Sequence, residues 1–178
     1  MRIISGQHKG RRLLAPKNLP VRPTTDRAKE ALFNILQHEF DFENIRVLDL
    51  FAGTGSISYE FASRGVPQIL AVDQNRHCIQ FIETTKKKLN LTIETFCSSV
   101  EKFLERFSNP QTIVFMDPPY SYTEESYSIL IDHLLVNCLE DQGWIIAEHD
   151  THHKFDSHPN FIQKRKYGSC QFSIFKKK

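Results

Sequence analysis

The chain has 178 residues, of which 40% are hydrophobic and 25% charged, and its formal net charge is +2. This length suffices for one sizeable hydrophobic core, so we expect a single domain over residues 1–178. No apolar run approaches the roughly 18 residues that a membrane span needs, and the first residues lack the apolar stretch of a secretory signal. We therefore predict a cytoplasmic protein without a membrane partner.

Cysteine and histidine are spaced unlike the ligands of a metal site. Cys78, Cys97, Cys138 and Cys170 form no Cys-x-x-Cys pair, so we interpret them as reduced thiols that mostly fill the core. The eight histidines match no metal-ligand spacing, and the adjacent His152 and His153 are expected to be solvent-exposed. The sequence therefore predicts no metal.

The small net charge hides a strong segregation of charge along the chain. Residues 1–30 contain eight Lys and Arg against two acidic residues, and residues 151–178 contain seven against one, so each end carries +6. Residues 31–150 carry −10. Clustered cations bind phosphates whatever the overall charge, and the ends therefore suggest a polyanionic partner, although solvated tails would show the same composition.

The first predicted elements precede the main body of the fold. Residues 2–5 and 10–15, joined by a turn that contains glycine, predict a basic β-hairpin within an extension over residues 1–22. A helix is predicted within residues 23–40, because Ala28, Ala31, Leu32, Ile35 and Leu36 share one face. This helix should pack on the body of the protein and leave Arg27 exposed at its start.

Residues 41–178 then alternate short β-type runs with helical patterns, which is typical of a parallel sheet covered by helices. Strands are predicted at 45–51, 69–73, 92–97, 112–116 and 143–148, with helices at 55–64, 75–89, 99–107 and 124–138. Two further strands, 160–166 and 170–176, would close the sheet as an antiparallel hairpin around Gly168.

The first loop with a chemical signal runs from Asp49 to Gly55, between a buried strand and a helix. Gly53 and Gly55 would let a ligand approach the backbone and the helix N-terminus. The third glycine of a dinucleotide site is missing, which argues against NAD. S-adenosylmethionine needs only the short turn and a carboxylate for its ribose, and Asp73 ends the next strand. An ordinary strand-to-helix turn would also contain Gly-x-Gly, but the two aspartates favour a binding site.

The second loop is Asp117-Pro118-Pro119-Tyr120, at the end of the fourth strand. Two prolines fix an extended backbone and remove two amide donors, so the carbonyls become rigid acceptors. Asp117 and the Pro118 carbonyl can accept both protons of an exocyclic amine while Tyr120 stacks on the base. Asp-Pro-Pro alone also fits a plain turn. In a doubly wound sheet, however, the first and fourth strands are neighbours, which would place a methyl donor opposite the amine.

At these residues the sequence resembles the RsmD-type methyltransferases, which methylate N2 of a guanine in small-subunit ribosomal RNA with S-adenosylmethionine. Four blocks carry the resemblance. They are residues 2–6 with 9–13, the Arg-Pro-Thr-Thr-Asp-Arg segment of residues 22–27 continuing into 30–34, residues 49–55, and residues 117–120. They cover the first two-thirds of the chain in family order, whereas the part after Glu148 matches only in its strand pattern.

The resemblance implies a Rossmann-like class I methyltransferase fold, an α/β architecture with a mostly parallel seven-stranded sheet. It implies that the cofactor S-adenosylmethionine is bound by Asp49, Phe51, Gly53, Gly55 and Asp73. It further implies that Asp117 and Pro118 hold the amine and that Tyr120 stacks. The RNA would be bound by Lys9, Arg11, Arg12, Arg22, Thr25 and Arg27. The expected partner is 16S ribosomal RNA within a 30S subunit or an assembly intermediate.

The sequence departs from the family pattern at two cofactor positions. Asp73 stands where the family usually has Glu, one methylene longer. Ser99-Val100 aligns where Asn or Asp followed by Ala contacts the adenine, and the Ser99 hydroxyl can still accept a hydrogen bond from the adenine amine.

Three other functions stay open at the level of sequence. An adenine-N6 DNA methyltransferase would use Asp-Pro-Pro-Tyr equally well, but the short chain shows no separate target-recognition domain. A protein-glutamine methyltransferase typically has Asn in place of Asp117 and has no need of basic ends. A non-catalytic RNA-binding assembly factor on the same fold is disfavoured by the intact Asp117 and glycine loop.

Overall fold

The computed structural model of the protein describes residues 1–16 and 24–177. Within that part of the chain the strands form one seven-stranded sheet in the order β3-β2-β1-β4-β5-β7-β6, and β7 alone runs antiparallel to its neighbours. The strands are β1 Arg46–Leu50, β2 Gln68–Asp73, β3 Glu94–Cys97, β4 Gln111–Met116, β5 Leu139–His149, β6 Phe161–Tyr167 and β7 Cys170–Lys176. The predicted parallel sheet with a C-terminal antiparallel hairpin is confirmed.

Helices connect the parallel strands, and several of them begin at a polar side chain that accepts a backbone N–H. Thr25 caps α1, Asn75 caps α3, and Thr123 caps α5. The helices are α1 Asp26–Glu39, α2 Ser56–Ser63, α3 Arg76–Leu89, α4 Val100–Leu104 and α5 Glu124–Asn137, with a short 3-10 helix at Phe42–Asn44.

Hydrophobic side chains cover both faces of the sheet. One core cluster brings together Ile3, Phe33 of α1, Phe61 of α2 and Ile82 of α3. The other packs α4 and α5 against the opposite face. One side of α5 and the residue that follows it are buried: Tyr127, Leu130, Ile131, Leu134, Leu135 and Cys138.

Three predicted elements have the wrong extent. The helix predicted at 99–107 ends at Leu104, and the strand predicted at 143–148 already begins at Leu139. The early start is tolerated because Gln142 adopts a positive φ of 65° and the register with β4 shifts there. The predicted hairpin at residues 2–5 and 10–15 is reduced to an isolated bridge between Arg2 and Arg12.

The N-terminal segment, residues 1–13, is fastened to the fold through buried charges. The carboxylate of Glu60 on α2 accepts the backbone N–H of Ile4 at 2.8 Å and that of Ser5 at 3.0 Å. The ammonium of Lys29 on α1 donates to the Arg2 carbonyl at 2.7 Å and lies 3.7 Å from Glu60. Lys29 is 1% exposed, so its charge, which counts toward the +6 of residues 1–30, is not available to a polyanion.

The cysteines only partly match the expected core positions. Cys78 and Cys138 are buried, whereas Cys97 is exposed and Cys170 is half-buried. No helix in the described part of the chain is both long and apolar enough to cross a membrane.

Candidate functional site

A cavity of about 480 Å³ opens at the carboxyl ends of the parallel strands. It lies where the strand order reverses, between β1 and β4. Open α/β sheets bind ligands in this crevice, because the connections from neighbouring strands leave there in opposite directions. The volume falls in the range of small-molecule sites, roughly 300–1,000 Å³.

The loop after β1 forms one wall of the cavity and depends on backbone conformations that favour glycine. Gly53 and Gly55 have φ angles of 53° and 80°, and Phe51 has 59°. A Cβ atom on Gly55 would lie 2.9 Å from Ile82 and 3.0 Å from Tyr59. The loop therefore turns sharply into α2 and brings its backbone to the cavity.

Asp73, at the end of β2, holds this loop in place. Its carboxylate accepts the N–H of Gly53 at 2.8 Å and the N–H of Asn75 at 2.7 Å. Since Asp73 also lines the cavity, the same group fixes the glycine turn and faces a ligand.

Asp49, on β1, lies deeper in the same wall. It is 1% exposed, and its carboxylate accepts both the hydroxyl and the backbone N–H of Ser58 on α2. Burial raises the pKa of Asp49 to about 7, the Ser58 hydrogen bonds oppose the rise, and the charge of Asp73 adds to it. The site therefore contains a carboxyl group that titrates near neutral pH.

The segment after β4 forms the facing wall. Pro118 is buried, whereas Tyr120 is 70% exposed. The Pro119 carbonyl accepts the N–H of Tyr122 at 2.9 Å. The Tyr122 hydroxyl in turn donates to Glu101 at 2.7 Å, which ties this segment to α4.

The predicted ligand-binding residues come together around this cavity. It is lined by Asp49, Phe51, Gly53, Asp73, Ser99, Asp117, Pro118 and Tyr120. Gly55 is not part of the lining and acts as the N-cap of α2, and the Ser99 hydroxyl also caps α4 by accepting the N–H of Lys102.

Other residues that line the cavity were missed by the sequence reasoning. They are Thr24, Tyr122, Tyr127, Glu148, His149 and His153. Two of them could have been predicted from the sequence, because Thr24 lies inside the Arg-Pro-Thr-Thr-Asp-Arg block and Glu148 lies near the end of a predicted strand. Tyr122 and Tyr127 were harder to predict from the sequence. Tyr127, for example, has the spacing of a core residue of α5.

His153 corrects a prediction, because it is half-buried rather than solvent-exposed. Its Nδ1 lies 3.1 Å from the Asp150 carboxylate, and its Nε2 lies 3.2 Å from the Tyr122 carbonyl. Its ring stacks on Phe155. The described residues contain no group of three or more His, Cys, Asp or Glu side chains that could hold a metal ion.

The residues predicted to bind RNA lie outside the cavity. Lys9, Arg11 and Arg12 are exposed on the N-terminal segment, and Arg27 is exposed in the first turn of α1. The Thr25 hydroxyl caps α1 by accepting the N–H of Ala28 at 3.2 Å. Arg22 lies outside the described residues.

Comparisons with known proteins find relatives that cover nearly the whole chain. The family model described as Conserved hypothetical protein 95 matches residues 1–176. YlbH of Bacillus subtilis (strain 168), named as a provisional rRNA methyltransferase, is 36% identical over 100% of both chains. Ribosomal RNA small subunit methyltransferase D of Escherichia coli (strain K12) is 35% identical over 83% of this chain and 71% of its own.

Solved structures agree with the sequence relatives. The Escherichia coli protein yhhF, described as a provisional methyltransferase, has 28% identity and a TM-score of 0.85, with 100% of this chain and 98% of that chain covered. The Thermus thermophilus 16S rRNA N2 G1207 methyltransferase, solved with AdoMet and guanosine, has 18% identity and a TM-score of 0.71. That comparison covers 90% of this chain and 45% of the other, and it shows the fold alone.

Proposed function

Because this chain belongs to the Conserved hypothetical protein 95 family, the RsmD family of methyltransferases, we propose that it methylates N2 of a guanine in 16S ribosomal RNA. The predicted enzyme class is confirmed: the chain is a methyltransferase. S-adenosylmethionine is the cofactor that we assign to it. The observation that best supports this proposal is that the glycine loop and the Asp117-Pro118 acceptors line one cavity.

The cofactor would occupy the side of the cavity formed by β1 and β2. Asp73 would accept the ribose hydroxyls, and the backbone of Gly53 would pack against the cofactor. Ser99, at the start of α4, would accept from the adenine amine. S-adenosylmethionine supplies an electrophilic methyl group on a positively charged sulfur.

The base would occupy the facing side, after it has been turned out of its RNA stack. Asp117 and the Pro118 carbonyl would accept the two amine protons and so direct the nitrogen lone pair at the methyl group. Tyr120, which is exposed here, would stack on the base. The amine proton would leave to the Asp117 carboxylate or to water after the methyl group has moved.

The exposed cations would hold the RNA around the cavity. Lys9, Arg11, Arg12 and Arg27 are all exposed, and phosphate contacts of this kind supply affinity without reading sequence. Small-subunit RNA is the substrate named for the Escherichia coli relative. We extend it to this chain, with a 30S particle or assembly intermediate as the form of the substrate.

The experiment is methyl transfer from labelled S-adenosylmethionine to undermethylated 30S particles, naked 16S ribosomal RNA and DNA, followed by nucleoside identification. We expect N2-methylguanosine in ribosomal RNA. N6-methyladenine in DNA would replace this function with the adenine-specific one. Cofactor binding without transfer to any of the three would favour a non-catalytic assembly factor.

A further inference from the structure

The outer strand of the sheet carries three cations that the mechanism above does not use. Within the described part of the chain, β6 is the edge strand beside β7. Its residues Lys164, Arg165 and Lys166 are consecutive and all exposed, and we call them the β6 cluster. No nearby carboxylate in the sequence offsets them, because residues 157–178 contain six Lys and Arg and no Asp or Glu.

The direction of β6 brings this cluster toward the cavity. Because β7 is antiparallel to both β5 and β6, the strand β6 runs parallel to β5 and ends at the same edge of the sheet. The turn after β6 lies at the cavity, since Ser169 and Cys170 are among its lining residues. The β6 cluster therefore lies near the end of β6 that is closer to the cavity.

The strand register gives the separation between the cluster and the cavity. Phe172 of β7 pairs with Glu148 of β5 on one side and with Arg165 of β6 on the other. Adjacent strands are about 4.8 Å apart, so the backbone of Arg165 lies about 10 Å from that of Glu148, which lines the cavity. Long side chains at this distance can contact phosphates next to a base that occupies the cavity.

Electrostatics also places Lys164 near the cavity. Burial lowers the pKa of His149, which lines the cavity, and the charge of Lys164 lowers it further. The register agrees, because Lys164 pairs with Ser173, whose hydroxyl lies 2.8 Å from Nε2 of His149. Lys164 also pairs with Asp156, but the two side chains are 47% and 48% exposed. Surface ion pairs of this kind are weak, so a phosphate can replace Asp156.

An edge strand often carries lysine for a different reason, since a charge there prevents pairing with another chain. That role explains one exposed cation on β6. Side chains of successive strand residues point to opposite faces, however, so Arg165 lies on one face of β6 and the two lysines lie on the other. The edge is therefore positive on both faces, beside the ligand site, as a surface for a polyanion requires.

We propose that the β6 cluster is a second phosphate-binding surface for the RNA, across the cavity from the N-terminal segment. The inference rests on the proposed function and adds a contact with its substrate. The N-terminal segment lies on the β1 side, where the Met1 sulfur is 3.9 Å from the hydroxyl of Thr54, a lining residue. In the sheet, β6 is four strands away from β1, or about 19 Å. One RNA strand can therefore be bound on both sides of the base that is methylated.

The test is RNA binding by the double variant Arg165→Ala and Lys166→Ala, measured by filter binding to 16S ribosomal RNA at several salt concentrations. Each phosphate contact contributes about 0.7 to 0.9 to the slope of log affinity against log salt. The magnitude of the slope should therefore fall by about 1.4 to 1.8, and RNA affinity at about 0.1 M salt should fall at least about tenfold. Affinity for S-adenosylmethionine should be unchanged.

Two control variants separate this surface from charge and from packing. Lys87 and Lys88 lie in the last turn of α3, and α3 begins at the cavity edge, so the pair lies at the far edge of the sheet. Replacing both lysines by Ala should change the slope less. The double variant Arg165→Lys and Lys166→Arg keeps both charges and should keep most of the RNA affinity. Thermal unfolding verifies that each variant is folded.

Steady-state methyl transfer supplies a second readout. Lost phosphate contacts weaken binding of the ground state and of the transition state equally, so KM for RNA should rise while kcat stays near the wild-type value. A merely structural effect of the substitutions would not separate the two constants in this way.

An unchanged salt slope in the folded Arg165→Ala and Lys166→Ala variant would overturn the proposal. Equal losses from the Lys87 and Lys88 pair, or an equal loss in the variant that keeps both charges, would overturn it as well. A wild-type protein that binds RNA but methylates no guanine in it would instead refute the proposed function, so the two failures are distinguishable.

Discussion

Asp49 and Asp73 lie on adjacent strands and line the same cavity, but their carboxylates have different surroundings. Asp73 is half-buried and accepts two backbone N–H groups from the loops around it. Asp49 is buried, and both of its hydrogen bonds come from Ser58. Burial without a countercharge raises the pKa of Asp49 to about 7, so its charge depends on what binds beside it.

This dependence predicts that cofactor binding is linked to proton release. The sulfonium charge favours the ionised form of Asp49, so a bound cofactor lowers a pKa that burial has raised. Affinity for S-adenosylmethionine should therefore increase from about pH 6 to about pH 8, by up to about tenfold. Isothermal titration calorimetry in buffers of different ionisation enthalpy would measure both the affinity and the released proton.

The matched control for this prediction is Asp49→Asn, which keeps the shape and removes the titration. Its affinity should vary little over the same interval. S-adenosylhomocysteine, which lacks the sulfonium charge, should show a weaker pH dependence with the wild type. A pH dependence in Asp49→Asn equal to that of the wild type would refute the role of this carboxyl group.

The N-terminal segment is held by α1 and α2 rather than by a hairpin of its own. Gly6 shows how close the contact is, since a Cβ atom there would lie 1.8 Å from the Ser63 carbonyl oxygen. Glu60 is the common partner, because it accepts from Ile4 and Ser5 and pairs with Lys29 and Arg64. The buried ion pairs position the segment that carries Arg11 and Arg12.

Glu60→Gln should therefore loosen the N-terminal segment and destabilise the fold. It removes the charge that compensates Lys29, whose pKa burial already lowers, and breaking a buried ion pair costs roughly 3–5 kcal/mol. Urea unfolding would measure the loss, and hydrogen exchange at Ile4 and Ser5 should accelerate.

Glu30→Gln, at an exposed position of α1, is the control for this change and should alter stability by less than about 0.5 kcal/mol. Similar stabilities for Glu60→Gln and Glu30→Gln would show that the buried pairs do not hold the segment.

The elements themselves were predictable because their signals are local. Buried parallel strands are runs of apolar residues, helices repeat with a 3.6-residue period, and glycine or proline marks the strand ends that carry the site. The burial of Lys29 could have been inferred from its neighbours one and two turns away, because Phe33 and Leu36 lie on the buried face of α1. Thr24 and Glu148 meet across 124 residues, a contact that only the folded chain reveals.

The segregation of charge along the chain persists in the structure, although ion pairs neutralise part of it. Arg2 pairs with Asp26 at 3.1 Å, and Lys164 pairs with Asp156 at 2.7 Å. Arg11 and Arg12 stay exposed on the N-terminal segment. We therefore assign RNA affinity to this segment more than to the total basic charge.

Replacing Arg11 and Arg12 together by Ala should weaken RNA binding and leave cofactor affinity unchanged. If each arginine contacts one phosphate, the slope of log affinity against log salt should fall in magnitude by about 1.5 to 2. Filter binding at several salt concentrations would measure the slope.

Lys87 and Lys88, exposed in the last turn of α3, provide a control pair with the same loss of charge. Replacing both lysines by Ala should change the slope of log affinity against log salt less than replacing Arg11 and Arg12 does. Equal effects of the two double variants would indicate a response to net charge rather than to a particular surface.

We propose that one wall of the cavity binds the cofactor and that the facing wall holds the amine that is methylated. The variant Asp117→Ala alters only the wall that holds the amine. Its affinity for S-adenosylmethionine and its single-turnover rate of methyl transfer to ribosomal RNA are measured and compared with those of the wild type. We predict wild-type affinity for S-adenosylmethionine and loss of methyl transfer, because the amine has lost its acceptor. Parallel loss of affinity and transfer, or transfer at the wild-type rate, would contradict this division of roles between the two walls.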